Sequence, residues 1–309
     1  MNCLDNKGFA ESFGVNQNEL SDIVLKEIKK YNFNYTEIPC SKYLSLILEI
    51  LKRIDNDKQK IGADEREKVW FDGWNENLNE FKNSGYKYEA LIPKFVRPNN
   101  PIRLNQEYVL PEDKNFELNF INVYRTWFLE KYFSDFENIF EFGCGTGFNL
   151  LRASELFPEK FLFGSDFVQS SVDLVNLISK SKKLNLKGSL FNMLSPDKDY
   201  NIPPNSGIFT FGALEQLASD LEPMINYLIQ RKPSLCLHTE PAIELYDIQN
   251  SLEDYLAAKF QSKRGYSSGL ISKLKILEKD KKIKIIKIKR LNFGSLFLEG
   301  YNLIIWKPL

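Results

Sequence analysis

The sequence has few of the residues that build metal and disulfide sites. Among its 309 residues there is one histidine, and the four cysteines, Cys3, Cys40, Cys144 and Cys236, show no metal-ligand spacing. A tetrahedral zinc site needs four such ligands, so we predict no metal centre. Scattered thiols fit a reducing compartment, and no basic stretch followed by an apolar run opens the chain. We therefore expect no signal peptide and a cytoplasmic protein.

A surplus of charge of one sign is missing as well. Lys and Arg together number 41, as do Asp and Glu, so the formal net charge is zero. Neither a nucleic acid nor an anionic membrane is therefore an expected partner. No window approaches the roughly 18 consecutive apolar residues of a membrane span. Apolar residues still make up 43% of the chain, enough for the core of one large domain or two ordinary ones.

The first 115 residues predict a region of their own, with helices in residues 1–85. Ser41–Ile54 carries apolar residues at helical spacing, and a second helix is predicted from about Asp64 to Phe81. Residues 86–115 contain four prolines. Proline at that density breaks regular elements, so this stretch is interpreted as a crossing segment or linker.

From Asn138 onward, strand-like and helix-like segments alternate along the chain. This alternation predicts a parallel sheet with helices on both faces. Two further runs, Ile283–Leu291 and Gly300–Trp306, are joined by a connection too short for a helical crossover, so they should pair antiparallel. We predict a doubly wound α/β domain over residues 116–309, with a mostly parallel seven-stranded sheet and an antiparallel final strand. The other predicted strands are Asn138–Phe142, Phe161–Ser165, Leu186–Phe191, Gly207–Phe211 and Ser234–Thr239.

A glycine-rich loop follows the first of these strands. Gly143, Gly145 and Gly147 are spaced by two and come directly before a helical pattern. Glycines at such a turn allow the backbone N–H groups to approach a ligand closely. A dinucleotide-binding fingerprint would need glycine at position 148, where Phe148 stands. No glycine-lysine-serine/threonine follows, so a nucleoside triphosphate loop is excluded too.

Polar residues at the ends of the next two strands fit an adenosine ligand. Asp166 ends the second strand, where a carboxylate can accept hydrogen bonds from both ribose hydroxyls. Asn192 ends the third strand, where its amide is able to meet the adenine amino group while Met193 packs against the ring. Plain turn residues are the alternative interpretation at positions 166 and 192.

The loop, Asp166 and the reversed final strand pair resemble those of the class I S-adenosylmethionine-dependent methyltransferases. The resemblance covers roughly residues 120–309 and implies S-adenosyl-L-methionine as the cofactor. It implies that the three glycines line the methionine moiety, that Glu141 supports the loop and that Asp166 holds the ribose. Asn192 stands where many members have Asp, and Gln216 stands where many carry His. The full predicted cofactor site is Glu141, Gly143, Gly145, Gly147, Asp166, Phe167, Asn192, Met193 and Phe211.

Catalytic groups are expected where the fourth and fifth strands end. Glu215 follows the fourth strand, and His238 and Glu240 end the fifth. Ligands bind outside the carboxyl ends of parallel strands, so these three side chains should lie near the transferred methyl group. His238 is the predicted general base because histidine titrates near neutral pH. A hydrogen-bonded structural histidine and a turn-capping glutamate remain the alternatives.

The acceptor is expected to bind between the N-terminal region and the sheet. Arg97, Arg103 and Tyr108 lie among the prolines, and arginines there are able to clamp a carboxylate or phosphate. Tyr266 belongs to a glycine-flanked stretch, Arg264–Gly269, interpreted either as a lid or as a plain loop. Apolar residues of the N-terminal region should be buried in a helical cap over the strand ends, or else in a homodimer interface. These residues are Leu44, Leu48, Trp70 and Trp74.

The sequence predicts an enzyme that methylates oxygen or nitrogen of a small polar metabolite, with an acidic group for the arginines. One alternative is an RNA methyltransferase that uses the basic stretch Lys279–Arg290, in which lysine and isoleucine alternate. A lysine-protected edge strand explains that stretch equally. The other alternative is a non-catalytic module that binds S-adenosylmethionine.

Overall fold

Two β-sheets organise the chain in the computed structural model, which describes residues 2–61, 66–218 and 220–309. In chain order, the strands of these residues are β1 (Asn2–Cys3), β2 (Asn34–Glu37), β3 (Ile102–Leu104), β4 (Glu107–Pro111), β5 (Asn138–Phe142), β6 (Phe161–Asp166), β7 (Leu186–Leu190), β8 (Ser206–Phe211), β9 (Leu235–Glu240), β10 (Ile283–Lys289), β11 (Phe293–Gly294) and β12 (Asn302–Pro308).

The helices of the described residues surround these sheets. They are α1 (Asn6–Phe13), α2 (Asp22–Lys29), α3 (Cys40–Asp55), α4 (Arg66–Asn83), α5 (Phe116–Phe133), α6 (Phe148–Leu156), α7 (Gln169–Lys182), α8 (Glu222–Arg231), α9 (Leu252–Arg264) and α10 (Leu270–Lys279). The start predicted for the second helix, Asp64, lies outside the described residues.

The larger sheet is doubly wound, as the alternating pattern predicts. Its strand order is β10-β12-β9-β8-β5-β6-β7, with parallel pairs throughout its central part. β12 runs antiparallel to both β9 and β10, so the predicted reversal is confirmed. The chain leaves β5 toward β6 and later returns on the other side at β8. The gap between the carboxyl ends of β5 and β8 is therefore the switch point at which such sheets bind ligands.

Helix α5 forms the centre of the core between the N-terminal region and this sheet. It is buried on almost every face, as expected for a helix covered from both sides. On one side Phe13 of α1 stacks on Trp127 with ring centroids 4.4 Å apart. On the other side Phe128 packs against Phe209 of β8. The N-terminal region and the sheet therefore share one hydrophobic core.

A second, five-stranded sheet was not expected from the sequence. Its order is β1-β2-β4-β3-β11. β3 and β4 form a hairpin inside the proline-rich segment, and Asn105 and Gln106 at its turn both have positive φ. A two-residue turn with positive φ matches the twist of a hairpin. β11 comes from the connection before β12 and pairs with β3, so the two predicted regions are joined by strand pairing.

Helix α3 buries a different face from the predicted one. Leu44 and Leu48 are 74% and 52% exposed, so their predicted burial is wrong. Ile47, Ile50 and Ile54 are buried instead, in a cluster with Leu256 and Phe260 of α9. The position of α9 decides which stripe of α3 meets the core, and helical spacing alone contains no information about that position.

An ionic network joins the small sheet to α9 and to the connection before β12. Arg103 of β3 is fully buried and donates from Nη2 to Asp254 Oδ1 at 2.9 Å and from Nη1 to the Glu253 carbonyl at 2.5 Å. Arg290, which follows β10, donates to both carboxylate oxygens of Asp254. It also makes two bonds with Glu299, at 2.7 and 2.9 Å. Two positive and two negative side chains thus neutralise each other away from water.

Replacing Arg103 with alanine should destabilise the fold by about 3–5 kcal/mol, because Asp254 and Glu299 would lose a buried counter-charge. The matched control is Arg97→Ala, which removes an exposed arginine six residues earlier and should change stability by less than about 0.5 kcal/mol. Urea unfolding followed by circular dichroism measures both. Equal stability of the two variants would show that the network does not hold the small sheet in place.

Candidate functional site

Two neighbouring cavities open at the carboxyl ends of the strands. The loop cavity, about 300 Å³, is lined by Gly143, Asp166 and the residues after β7. The aromatic cavity, about 420 Å³, lies between the N-terminal region and the end of β8. Both cavities are lined by Trp70, Trp74, Gly212 and Gln216, so they meet at the switch point of the sheet.

The glycine loop has the backbone shape that its sequence predicts. Gly143, Gly145 and Gly147 all have positive φ, at 72°, 50° and 71°. A Cβ at position 143 would lie 2.4 Å from the Ala213 Cβ, and one at 145 would lie 2.9 Å from Trp74 Cζ2. Side chains are therefore excluded at both positions, because Ala213 and Trp74 already pack against the backbone there, and Gly143 lines the loop cavity.

Asp166 holds this loop through backbone hydrogen bonds. Its Oδ2 accepts a hydrogen bond from Gly145 N at 2.9 Å, and its Oδ1 accepts one from Val168 N at 3.3 Å. Ser171 Oγ donates to the Gly145 carbonyl at 2.5 Å and holds the other side of the same residue. Burial raises the pKa of Asp166. Hydrogen bonds from the backbone N–H groups of Gly145, Val168 and Phe167 oppose that rise, and Asp166 lines the loop cavity beside Phe167.

Glu141 lies in β5, directly before the loop. Its Oε1 accepts a hydrogen bond from Asn149 Nδ2 at 2.8 Å, which ties the strand to α6. Its Oε2 is buried and has no partner among the described residues. Burial raises the pKa of this carboxyl to about 8. The geometry fits support of the loop, the role implied by the resemblance.

The residues after β7 form the far wall of the loop cavity. Met193 is buried there, and Asn192 lies at the surface of the cavity. Asn192 Oδ1 accepts a hydrogen bond from Leu194 N at 2.9 Å, which makes Asn192 a turn residue as well as a lining residue. Phe211, predicted as a cofactor contact, lines the aromatic cavity instead. That prediction is corrected because β8 ends with this ring turned toward α5, where it packs on Tyr124.

Helix α4 covers the loop from above. Its two tryptophans stack on each other, with ring centroids 5.1 Å apart, and Trp74 rests on Gly145. The helix packs along α7, where Ser170 Oγ donates to the Phe71 carbonyl at 2.8 Å. The sequence indicated Trp70 and Trp74 only as buried residues of the N-terminal region. Their spacing of four places them on one helical face, but the position of the loop beneath them comes from the fold.

The aromatic cavity has apolar walls and cations near its rim. Six aromatic side chains besides the tryptophans line it: Phe95, Phe211, Phe260, Tyr266, Phe297 and Tyr301. Arg97 lines it from the proline-rich segment and is exposed, and Arg264 lines it from the end of α9. Arg264 also pairs with Asp57 at 2.7 Å. Arg97 and Tyr266 are thus placed at a cavity, as predicted from the sequence.

Two predicted acceptor contacts lie elsewhere. Arg103 is fully buried in the network with Asp254 and Glu299 and does not line either cavity. Tyr108 is buried beside it, with the Arg103 guanidinium 5.6 Å from the centre of its ring. Both predictions are corrected, since β3 and β4 direct these side chains into the core and not toward the strand ends.

His238 does not face a cavity. It is fully buried, its Nε2 accepts a hydrogen bond from Trp306 Nε1 at 2.9 Å, and its Nδ1 lies 2.9 Å from Thr210 Oγ1. Thr210 Oγ1 in turn donates to Glu240 Oε1 at 2.7 Å. With both ring nitrogens occupied and its pKa lowered by burial to about 3, His238 is a neutral structural residue, and its prediction as the base is corrected.

Glu240 ends the same chain of hydrogen bonds and caps the turn after β8. Its carboxylate accepts bonds from the backbone N–H groups of Ala213, Leu214 and Glu215 at 3.1, 3.1 and 3.3 Å. Burial raises its pKa to about 7, and these donors oppose that rise. Its predicted catalytic role is replaced by a positioning role. It fixes the turn that carries Glu215 and Gln216 into the aromatic cavity.

The stretch Arg264–Gly269 is a loop that two hydrogen bonds hold against the turn after β8. Ser267 N donates to the Glu215 carbonyl at 2.9 Å, and Ser267 Oγ donates to the Leu214 carbonyl at 2.8 Å. Both bonds join it to the turn that Glu240 caps. Of the two interpretations of its glycines, the geometry favours the plain loop, which holds Tyr266 at the cavity wall.

Two carboxyl groups line the aromatic cavity. Glu215 was predicted, and its Oε1 accepts a hydrogen bond from Gln216 Nε2 at 2.9 Å. Glu117, in the first turn of α5, was not predicted, because an acidic residue at a helix N-terminus is expected on general electrostatic grounds. Only 6% of Glu117 is exposed, and Tyr301 OH donates to its Oε1 at 2.7 Å. Burial raises its pKa to about 7.

Across residues 2–61, 66–218 and 220–309, no group of three or more His, Cys, Asp or Glu is arranged to hold a metal ion. In the same residues no helix combines the length and the apolar character needed to cross a membrane.

Solved structures that are similar to this chain share little sequence with it. The match to the [4+2]-cyclase SpnF spans 81% of this chain and 99% of SpnF, with a TM-score of 0.50 and 11% sequence identity. The match to PigF, solved with SAH, spans 87% of this chain and 71% of PigF, with a TM-score of 0.46 and 13% sequence identity. A third match is geranyl diphosphate C-methyltransferase from Streptomyces coelicolor A3(2), solved with Mg²⁺, geranyl-S-thiolodiphosphate and S-adenosyl-L-homocysteine. It spans 85% of this chain and 98% of the methyltransferase, with a TM-score of 0.46 and 12% sequence identity. No family model and no curated protein matches the sequence. The likeness to SpnF shows the fold, and the α/β class predicted from the sequence is confirmed.

The buried state of His238 predicts a specific pH dependence of stability. Its folded pKa lies below the unfolded value, so the unfolded chain binds the extra proton and stability falls as the pH drops below about 6.5. Between pH 8 and pH 5 this group should account for about 2 kcal/mol of lost stability. His238→Gln should lose that much less than the parent protein over the same range, as measured by urea unfolding.

An NMR titration of the ring protons gives an independent check, because the histidine is the only one in the chain. A ring that titrates near pH 6.5 in the folded protein would contradict the buried hydrogen-bonded state and return His238 to the list of candidate bases.

Proposed function

We propose that this chain is an S-adenosylmethionine-dependent methyltransferase that methylates oxygen or nitrogen of a small molecule bound in the aromatic cavity. The observation that carries the proposal is the meeting of the two cavities at Gly212, Gln216 and the tryptophan pair. Methyl transfer is an in-line displacement, so donor and acceptor must occupy adjoining spaces at a shared boundary.

The residues of the loop cavity fit the proposed cofactor. Gly143 lines the loop cavity with bare backbone, which suits close approach to the methionine part. Asp166 and Met193 line the same cavity, so we expect Asp166 to accept the ribose hydroxyls and Met193 to pack against the adenine. Glu141 keeps the loop in place through Asn149. When bound, the cofactor supplies a methyl group on a positively charged sulfur, which needs alignment more than activation.

We further propose that residues 1–115 act as the cap expected from the sequence. Helix α4 closes the loop cavity above Gly145, and the proline-rich segment contributes Phe95 and Arg97 to the aromatic cavity. The domain boundary near residue 115 then separates the cap from the cofactor-binding part. The aromatic lining changes the expected acceptor from a polar metabolite to one with an apolar body, while Arg97 at the rim still suits an acidic group.

The RNA alternative has less support. In the basic stretch before Arg290, Lys287 Nζ donates to the carbonyls of Phe13 and Gly14 and lies 5.7 Å from the centre of the Trp127 ring. The stem of Lys289 packs against Gly14. These two lysines are therefore used inside the protein, and β10 fits the protected edge strand of the large sheet.

A non-catalytic module that binds the same cofactor is the other alternative, since a fold of this kind does not by itself define an activity. Release of S-adenosylhomocysteine that depends on an added acceptor distinguishes the enzyme from the module. Cofactor binding and methyl transfer therefore require separate experiments.

Gly145→Val should abolish S-adenosylmethionine binding, because the new side chain would strain a residue with positive φ and would clash with Trp74, which lines the loop cavity. Asp166→Ala should weaken binding roughly 10–100-fold, since each hydrogen bond to a charged group contributes roughly 1.5–3 kcal/mol. Glu159→Ala, which removes an exposed carboxylate after α6, is the matched control and should bind like the parent protein. Isothermal titration calorimetry measures all three, and NAD serves as a ligand that should not bind. Unchanged affinity in both site variants would remove the cofactor assignment.

A further inference from the structure

The aromatic cavity contains a carboxyl group that the proposed cofactor binding does not use. Glu117 lines this cavity, is more than nine-tenths buried, and accepts a hydrogen bond from the phenol of Tyr301 at 2.7 Å. Among the described residues no basic side chain pairs with it. A buried carboxylate without a cation is costly, so a fold rarely keeps one without a task.

The neighbours of Glu117 place it near the boundary of the two cavities. Tyr301, its partner, packs on Phe211 with ring centroids 5.6 Å apart and on Phe293 at 5.9 Å. Phe211 and the next residue, Gly212, line the aromatic cavity together with Glu117, and Gly212 lines the loop cavity too. The Glu117–Tyr301 pair is therefore held by packed rings beside the end of β8, where methyl transfer is proposed to occur.

We propose that Glu117 is the general base of the aromatic cavity and that the acceptor is a planar aromatic molecule with an ionisable hydroxyl group. This inference rests on the proposed function. Glu117 is the catalytic residue, because it touches the acceptor hydroxyl. Tyr301 is a positioning residue that holds the carboxyl through its hydrogen bond.

The acceptor class follows from the walls of the cavity and from the acidity of the base. Phenylalanine and tryptophan rings on several sides favour a flat aromatic body, and about 420 Å³ accommodates a one- or two-ring compound. A carboxyl that titrates near pH 7 is about three units more acidic than a phenol, whose pKa is about 10. It is far more acidic than water or an aliphatic alcohol, whose pKa values lie near 16. Efficient proton transfer needs matched pKa values, so a phenol suits this base and an alcohol does not.

The proposed step is balanced in atoms and charge. The Glu117 carboxylate takes the proton of the acceptor hydroxyl, and the O–H electron pair remains on oxygen. That oxygen forms a bond to the methyl carbon, the carbon–sulfur bond breaks, and its electron pair stays on sulfur. The products are a methyl ether, neutral S-adenosylhomocysteine and a protonated Glu117, which returns its proton to water.

Other charged and titratable groups share the cavity with Glu117. Cations come from α3, from the proline-rich segment and from the end of α9, and the other groups come from the turn after β8, from the loop after α9 and from the segment before β12. They are Arg53, Lys94, Arg97, Arg264, Glu215, Tyr266 and Tyr301. Glu215 is the competing base, and the experiment must distinguish it from Glu117.

The test uses the full-length protein, S-adenosylmethionine and a fixed panel of probes. The panel pairs 4-methylphenol, 4-hydroxybenzoate, 2-naphthol and caffeate with benzyl alcohol and 4-(hydroxymethyl)benzoate, which carry aliphatic hydroxyls. Mass spectrometry detects the methyl ether, and S-adenosylhomocysteine is measured in parallel. We expect ether from at least one phenol and none from the alcohols, with a rate that rises with pH to a plateau above about pH 7. Failure of every phenol, in a protein that binds S-adenosylmethionine, would overturn the acceptor class.

Glu117→Gln should lower kcat for the active phenol by roughly 10²–10⁴ while leaving the Kd for S-adenosylmethionine unchanged. Tyr301→Phe removes a donor to the charged form of Glu117, so the rise of activity should move to higher pH. Glu159→Gln, an exposed glutamate after α6, is the matched control and should behave like the parent protein. A loss of that size in Glu215→Gln, with normal rates in Glu117→Gln, would transfer the role to Glu215 and overturn the proposal.

A measurement that does not depend on turnover distinguishes a failure of Glu117 as the base from a failure of the proposed function. Carboxyl ¹³C NMR of the cofactor-free protein should show a glutamate resonance titrating near pH 7 that disappears in Glu117→Gln, while the raised titrations of Glu141 and Glu240 remain. Glu117→Asp, with a shortened side chain, covers the case in which the glutamine variant does not fold. A failure of S-adenosylmethionine binding contradicts the proposed function, whereas normal binding with an unshifted Glu117 resonance contradicts only the base.

Discussion

The mutual neutralisation of two arginines and two carboxylates in the core is the constraint on which the remaining architecture depends. Arg103 belongs to the small sheet, Asp254 to α9, and Arg290 and Glu299 to the two ends of the connection before β12. Each of these segments, or its immediate continuation, forms part of the aromatic cavity wall. Since none of the four charges is stable in the core alone, the walls must assemble together or not at all.

The sheet and the glycine loop were predictable because their signals are local. Alternating apolar segments gave each strand of the large sheet to within a few residues, and three glycines in five residues indicated a loop with positive φ. Asp166 followed from its place at a strand end. In each case the structure-forming residues are neighbours in sequence, so the pattern contains the geometry.

The acceptor side was predictable only in part, because its contacts join residues far apart in the chain. Arg103 and Arg97 lie in the same proline-rich segment, but Arg103 pairs with Asp254, about 150 positions later in the chain. No residue near Arg103 in the sequence indicates that partner. His238 stood at a strand end like a catalytic residue, but Trp306 and Thr210 of the two flanking strands occupy both of its nitrogens. Glu117 resembled an ordinary helix-start acid until α5 was placed beneath the cavity.

The pairing of β11 with β3 has a consequence for biosynthesis. β3 leaves the ribosome well before its partner, Phe293–Gly294, which is translated almost two hundred residues later. The sheet centre and the glycine loop are complete long before that point, and folding during translation proceeds from the N-terminal side. The cofactor half can therefore form on the ribosome, while the proline-rich hairpin waits with an unpaired edge. Closing a loop of almost two hundred residues completes the small sheet, and a chain stalled before that point would expose the edge of β3 to chaperones and to other nascent chains.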